Sequence, residues 1–383
     1  MQFIECGGTP RQIGEATGEA LRQDIAEHLE LFPLHRSTEF RARLPLFLTT
    51  LRRHLPAVVE EIRATARAAN VDEVDLFALN LPLVPGTLDR VFGEIGDGTP
   101  GGPDLTRDLP STDGCTNFVF TGGPDGPIWG KNNDGCHPHR PVVARYVRPA
   151  EGIPQVTFTF AGVVATTDGM NAEGVAVGHS SVGSVFQQSD RWIPIRLWAY
   201  QVMSRARTTA EFVRAMAEQP LRGKGYSIVC VDRLGDAVSI EAACPVLMIR
   251  EPVVGAHGLH CVNCYQDEAL WHADRRTPEG KVDAHERWHL LDRVLLAGEG
   301  PPAQIDVTSG WPGQVDVPDP GQDGYDLAFA ERLLHLHGDI CICRHGEPLD
   351  YHSEYSMIGL PASGRLRFCG LHPCQQQYTE VSL

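Results

Sequence analysis

Cys115 and Asp134 stand near the two ends of one stretch dense in turn residues, Asp-Gly-Cys-Thr-Asn-Phe-Val-Phe-Thr-Gly-Gly-Pro-Asp-Gly-Pro-Ile-Trp-Gly-Lys-Asn-Asn-Asp-Gly, covering 113–135. Residues 116–121 are β-branched and aromatic and read as a strand, 122–127 as a turn, and 128–133 as the returning strand. If the turn centres between Pro124 and Asp125, the hairpin register sets Cys115 opposite Asp134. A thiol beside an orienting carboxylate is a pairing suited to nucleophilic catalysis. The plainer interpretation of Asp134 is a solvated turn aspartate.

Composition limits what such a site could serve. The 383-residue chain is 42% hydrophobic and 21% charged, enough for a large core in one domain or two. A net charge of −16 argues against nucleic acid or an anionic membrane as partner. No apolar run approaches the roughly 18 residues of a membrane span. The first ten residues lack a basic region followed by an apolar one, so no signal peptide is expected and the expected location is the cytoplasm. The 11 cysteines are then expected to be mostly reduced and buried. Cys261 and Cys264 beside His260, Cys341 and Cys343 with His345, and Cys136 near His137 and His139 suggest metal ligands. None repeats the paired Cys-x-x-Cys spacing of a structural zinc site, and no metal is expected.

The elements that must hold the hairpin alternate in blocks. Residues 1–98 read as mainly helical: 11–31 with an apolar stripe, 43–70 interrupted near Pro56, and 71–80. Gly14 and Gly18 are four apart and suggest close helix packing. Residues 97–112 form a Gly/Pro/Asp linker without periodicity that leads directly into Gly114-Cys115. Such a linker suits a processing site, although its composition fits an ordinary surface loop better. Strands are expected at 142–148, 155–161, 175–178, 226–231, 237–241, 259–265, 355–360, 365–369 and 380–383. Helices are expected at 193–205, 212–218, 283–296 and 326–335, with a second loop at 300–324. This order predicts an α+β fold.

Several motifs, in order, give a resemblance. They are Gly8-Thr9-Pro10 with Gly14 and Gly18, Asp75-Leu76-Phe77-Ala78-Leu79-Asn80, Asp113-Gly114-Cys115-Thr116, and Gly130-Lys131-Asn132-Asn133-Asp134. Gly169-Met170-Asn171-Ala172-Glu173-Gly174, His260-Cys261-Val262-Asn263, Arg287 and Gly370-Leu371-His372-Pro373-Cys374 follow. Over nearly its whole length the chain resembles the acyl-coenzyme A:6-aminopenicillanic acid acyltransferase (isopenicillin N acyltransferase) family, a cysteine branch of the N-terminal-nucleophile hydrolases. The resemblance implies a four-layer αββα sandwich and self-cleavage between Gly114 and Cys115. Residues 1–114 would become a helical small chain packed on a catalytic core of 115–383.

The chemistry explains why a cut would matter. A new α-amino group on Cys115, with an ordinary pKa near 7.7–8.0, could take the thiol proton and return it to a leaving group. The same thiol could first attack the Gly114 carbonyl, aided by the Thr116 hydroxyl. Asp134 would hold the amine or thiol. Asn263 would donate to the oxyanion, and Arg287 would support the cysteine or contact a substrate carboxylate. The plainer roles are a strand-end cap for Asn263 and a solvated helix face for Arg287. His260 reads as structural. The family pattern has arginine or glutamine at Lys131 and asparagines near Ser180 or Ser181 and near Ser227. The oxyanion side therefore departs from the pattern, with Asn132, His179 and Ser180 as the remaining candidates. The expected activity is hydrolysis or acyl transfer on a small-molecule or peptide-like amide through a Cys115 thioester, as in secondary metabolism. No cofactor is expected beyond acyl-coenzyme A as an open choice of acyl donor. The alternative is an uncleaved, non-catalytic binding protein. A metal-dependent enzyme ranks last, and the oligomeric state is left open.

Overall fold

The computed structural model describes residues 1–31, 38–81, 114–135, 140–186, 189–274, 276–296, 320–321, 324–346 and 351–383. The linker 97–112, most of the loop 300–324 and the Cys136/His137/His139 group lie outside the described residues.

Two sheets carry the fold. The larger has the order β1 (Gln2–Gly8), β4 (Val142–Pro149), β5 (Gln155–Phe160), β6 (Asp168–Asn171), β7 (Ala176–Ser181), β10 (Tyr226–Val231), β11 (Ala237–Ala242), β12 (Leu247–Arg250). The smaller has the order β13 (Gly258–Cys261), β2 (Thr116–Phe120), β3 (Ile128–Gly135), β14 (His352–Leu360), β15 (Arg365–Gly370), β16 (Thr379–Ser382). A two-residue pair, β8 (Ile193–Pro194) with β9 (Leu221–Arg222), stands apart. Among the described residues, every pairing within the two large sheets is antiparallel except β1 with β4.

Alternation along the strands builds the layers. Val142, Ala144 and Tyr146 of β4 meet Trp129 of β3 and Met357 of β14 in a core between the sheets. Val143, between them in sequence, points the other way into a helical layer. That layer holds α1 (Pro10–Ala20), α2 (Arg22–Leu31), α3 (Thr38–His54), α4 (Pro56–Ala69), α5 (Glu73–Asn80), α6 (Ile195–Met203) and α7 (Thr209–Ala217). On the far side, Phe118, Phe120 and Ile128 pack against α8 (Pro278–Leu295) and α9 (Leu327–Leu334). The result is the expected αββα sandwich, with large apolar cores between its four layers.

Residues 1–31 and 38–81 are part of this sandwich. β1 extends the large sheet at its edge, and α1–α5 cover its outer face. β1 falls in a region read as mainly helical. Its seven residues bury only Cys6, so the segment carries no alternation to read; its ladder with β4 makes it a strand. The expected single helix 11–31 breaks at Leu21 into α1 and α2. The start of α1 is set by Thr9, whose side chain accepts from the Gln12 amide while Gln12 returns the bond.

Gly14 and Gly18 do serve close packing. A Cβ at Gly18 would lie 2.4 Å from the Thr65 carbonyl oxygen and 2.8 Å from the Ala68 Cβ, both on α4. Alanine would add up to about 1 kcal/mol of helix propensity. The overlap with a rigid backbone outweighs this, at about 1–3 kcal/mol for forced overpacking. Gly18→Ala should therefore lower the urea midpoint, whereas a solvent-facing Ala→Gly control on α1 should lose only its propensity.

Candidate active site

The hairpin forms, but one residue out of the predicted register. Thr116 pairs with Asn132 and Phe120 with Ile128, so Cys115 falls opposite Asn133 rather than Asp134. Side chains alternate, so a shift of one moves the carboxylate to the other face of the sheet. Asp134 shares its face with Thr116 and Asn132, toward α8 and α9, whereas Cys115 shares its face with Asn133 and Lys131, toward the large sheet. The shift arises in the loop 121–127, where several residue pairs offer an equivalent turn centre. Gly126, at φ +77°, takes a conformation open to glycine at no cost.

Cys115 is 2% exposed. Its Sγ lies 3.5 Å from Asn133 Oδ1 and 3.8 Å from the Asp134 backbone oxygen. Asn133 in turn donates through Nδ2 to Glu354 Oε2 at 2.9 Å, and Arg140 Nε donates to the same carboxylate at 2.8 Å. Glu354 occupies an irregularity of β14, where the pairing steps from Ser353 to Tyr355. Such a bulge re-aims a side chain, here toward the thiol's neighbour.

The opposite face holds a chain of buried charges around the Gly114–Cys115 peptide. Arg287, on α8, donates through Nη1 to the Cys115 carbonyl at 2.6 Å and to Thr116 Oγ1 at 3.1 Å. Its Nη2 donates to Asn263 Oδ1 at 3.0 Å and Asp283 Oδ2 at 2.8 Å. Asp283 also accepts from Arg344 Nη2 at 2.6 Å. Arg344 Nε lies 3.5 Å from Asp134 Oδ2, and Asp134 Oδ1 accepts from Ser353 Oγ at 2.7 Å. Gly114 must be small here: a Cβ would lie 2.8 Å from Tyr351 and 3.2 Å from Arg344 Nε.

Burial dominates the electrostatics. It raises the Asp134 carboxyl to about 6, against the opposing pull of Arg344, Ser353 and Arg287. Asp283 goes the other way: burial would raise it, but Arg287 and Arg344 hold it at about 2. Asp134 Oδ2 and the Nε atoms of Arg287 and Arg344 are buried without a hydrogen-bond partner. Of these atoms, Arg344 Nε lies against Gly114, while Arg287 reaches the Cys115 carbonyl through its Nη1.

No family model matches the chain, and no curated protein matches it in sequence. Solved structures do show likeness. A mutant of the conjugated bile acid hydrolase from Clostridium perfringens matches at 12% identity, over 70% of this chain and 92% of that one, with a TM-score of 0.43. The Caenorhabditis elegans ortholog of N-acylethanolamine-hydrolyzing acid amidase matches at 13%, over 65% of this chain and 93% of that one, with a TM-score of 0.41. Penicillin V acylase from Agrobacterium tumefaciens matches at 16%, over 67% and 83%, with a TM-score of 0.40.

The remaining candidates divide. Arg287 reaches the Cys115 carbonyl and holds Asn263, whose Nδ2 donates to the Ser181 carbonyl, and Ser180 Oγ lies 3.3 Å from the same Cys115 carbonyl. Asn132 does not fit an oxyanion role. Its Nδ2 donates to the carbonyls of Leu334 and Ile342, each at 2.9 Å, which ties β3 to the end of α9 and occupies both hydrogens. His179 is bound elsewhere too, with Nδ1 2.8 Å from Asp168 Oδ1, and burial lowers its pKa to about 4, against the attraction of Asp168. Lys131 completes that cluster, 2.8 Å from both Asp168 oxygens and fully buried between the sheets. His260 Nε2 lies 2.9 Å from Asp292 Oδ1. Asp283, Arg344, Ser353, Asn133 and Glu354 went unread in the sequence. Arg344 and Ser353 lie more than two hundred residues from the hairpin, and only their convergence marks them. Arg344, flanked by two of the residues first read as metal ligands, had the one local signal.

Proposed function

We propose that this protein is an autoprocessed thiol amidohydrolase or acyltransferase acting on a small-molecule or peptide-like amide through a Cys115 thioester. The observation that supports it most is the set of buried, incompletely paired charges around the Gly114–Cys115 peptide, with the Cys115 thiol on the adjoining face. Leaving a buried polar atom short of a hydrogen bond costs about 1–3 kcal/mol, a cost that makes sense at a reacting bond.

In self-cleavage the Cys115 sulfur attacks the Gly114 carbonyl carbon, and the C–N bond breaks as the thiol proton passes to the departing nitrogen. This leaves a thioester and a free Cys115 amine. Water then opens the thioester, giving a Gly114 carboxylate and restoring the thiol. Asp134, on the sheet face opposite the thiol, would hold the new amine rather than the thiol. Arg287 and Ser180 fix the Cys115 carbonyl and hence the backbone that carries the sulfur. In turnover the amine takes the thiol proton, the sulfur attacks a substrate amide, and the proton leaves with the amine product. Asn263 has one amide hydrogen on the Ser181 carbonyl, and the other serves the tetrahedral oxygen. Water or an acceptor amine, with acyl-coenzyme A as one source of the acyl group, then resolves the acyl-enzyme.

Intact mass of the purified protein is the direct test. Two fragments meeting at Gly114/Cys115, and an acyl adduct on the 115–383 fragment after incubation with an amide panel, are expected. A single uncut chain that binds amides without turning them over would establish the binding-protein reading instead. The pH dependence supplies a second measurement. The cleavage rate should rise with pH through a midpoint near 6, as Asp134 ionises, and Asp134→Asn should abolish that rise. The sign for stability is opposite. A carboxyl raised from 3.8 stabilises the fold below its unfolded pKa, and this contribution is lost as pH rises through about 6.

A further inference from the structure

Four ligand-type side chains from three separate segments converge beyond the small sheet. His337 follows α9, Cys343 and His345 lie on the turn leading toward β14, and Cys374 sits in the short helical turn Pro373–Gln375 after β15. Their ligand atoms all lie within 4.8 Å of one another. Cys343 Sγ is 3.5 Å from Cys374 Sγ and 3.6 Å from His345 Nε2, and His345 Nε2 is 3.2 Å from Cys374 Sγ. Tetrahedral bonds of about 2.3 Å to sulfur and about 2.0–2.1 Å to nitrogen would separate two sulfurs by about 3.8 Å and a sulfur from a nitrogen by about 3.6 Å. The three edges among Cys343, His345 and Cys374 lie close to those of such a tetrahedron, and His337 lies within 4.8 Å of each. Two thiols and imidazoles of this kind otherwise gain little from one another, since thiol contacts are weak hydrogen bonds.

We propose that Cys343, Cys374, His337 and His345 form a Cys2His2 site for one zinc ion. Thiolate and imidazole ligands in tetrahedral array select zinc over hard cations. Binding releases the thiol protons, and the ion supplies the charge that burial around Cys343 otherwise disfavours. The ring of His345 is held for this by His372, stacked at 3.9 Å between centroids. The site joins the exit of α9, the turn before β14 and the turn after β15. Arg344 lies between two of the ligands. Its backbone is clamped to Ser353, N to Oγ at 3.0 Å and O to N at 3.0 Å, and its guanidinium faces Asp283 and Asp134. Zinc would thus anchor the turn that presents Arg344 to the Gly114–Cys115 peptide. That consequence rests on the proposed function; metal binding does not.

The test uses the full-length protein purified under reducing conditions. Zinc content is measured by elemental analysis after dialysis, and Co2+ exchange is followed by absorption. One zinc per chain is expected, as are the strong visible bands and sulfur-to-cobalt charge transfer of a tetrahedral thiolate site. Cys374→Ser and His345→Asn, both at exposed positions, should lose those bands while circular dichroism shows the fold retained. Cys6→Ser, in the edge strand, should keep them. Absence of zinc and of cobalt bands from folded, reduced protein would overturn the proposal. So would bands that survive both ligand substitutions, or peptide masses showing Cys343 and Cys374 joined as a disulfide in the native protein. Because the readout is metal content and spectrum, loss of enzymatic activity would leave the outcome unchanged.

Discussion

Cys115→Ala is expected to give a single uncut chain with no thioester adduct and no amide turnover, folded as the parent is. In the proposed mechanism one sulfur attacks both Gly114 and substrate, so both reactions should end together. The fold should survive, because the side chain is small and the hydrogen bonds of its sulfur are long, at 3.5 and 3.8 Å. Loss of a buried thiol in this setting costs on the order of 1 kcal/mol, well within the stability of a domain this size. Denaturing gels of freshly purified and long-incubated protein check the cut, and mass spectrometry checks the adduct. A Cys115→Ala chain that still divides at this peptide would remove Cys115 from the centre of the mechanism.

Arg287→Met is expected to have the largest combined effect on stability and chemistry. The guanidinium holds the Cys115 carbonyl, Thr116, Asn263 and Asp283 at once, and so ties the helix α8 directly to the nucleophile strand. Its removal leaves Asp283 with Arg344 as its remaining ion-pair partner among the described residues. Breaking one member out of a buried charge network costs about 3–5 kcal/mol. Arg287→Lys should recover little, since an ammonium cannot match four acceptors with a planar fork. The double variant Arg287→Met/Asp283→Asn should regain part of the stability, because the abandoned carboxylate is gone. It should not regain cleavage, because the Cys115 carbonyl has lost Arg287 and keeps only the longer bond from Ser180. Urea denaturation and the cleavage rate, measured side by side, separate the two contributions.

Local patterns in the chain were sufficient for much of the architecture. The hairpins 116–133 and 226–241 are bracketed by turn residues, α5 ends at Asn80 as read, and α7 starts at the Thr208 cap that accepts from Glu211. The edge strands β1 and β12 were missed. Edge strands bury little, so their sequences show no period; only a partner supplies the evidence. Leu247–Arg250, for instance, has no buried residue at all. The Cys115–Asp134 pairing was misplaced by one residue, since turn composition locates a loop but not its centre. The partners of Asn132 and His179 were not legible for a related reason. Both look like spare polar groups along the chain, yet each is used up by partners from distant elements.

The sequence by itself determined the nucleophile candidate, the small residue before it, the alternation that yields two sheets with both faces buried, and the helices that cover them. These follow from period, turn chemistry and residue type, which act over a few neighbours. The tertiary structure alone decided which charges meet. It placed Asp134 on the sheet face opposite the thiol, set Arg287 and Arg344 on either side of Asp283, and gathered His337, Cys343, His345 and Cys374 at one point. Those encounters depend on sheet register and on packing between segments far apart in the chain. A register shift of one residue reverses a strand's faces, and nothing local to the hairpin fixes that shift.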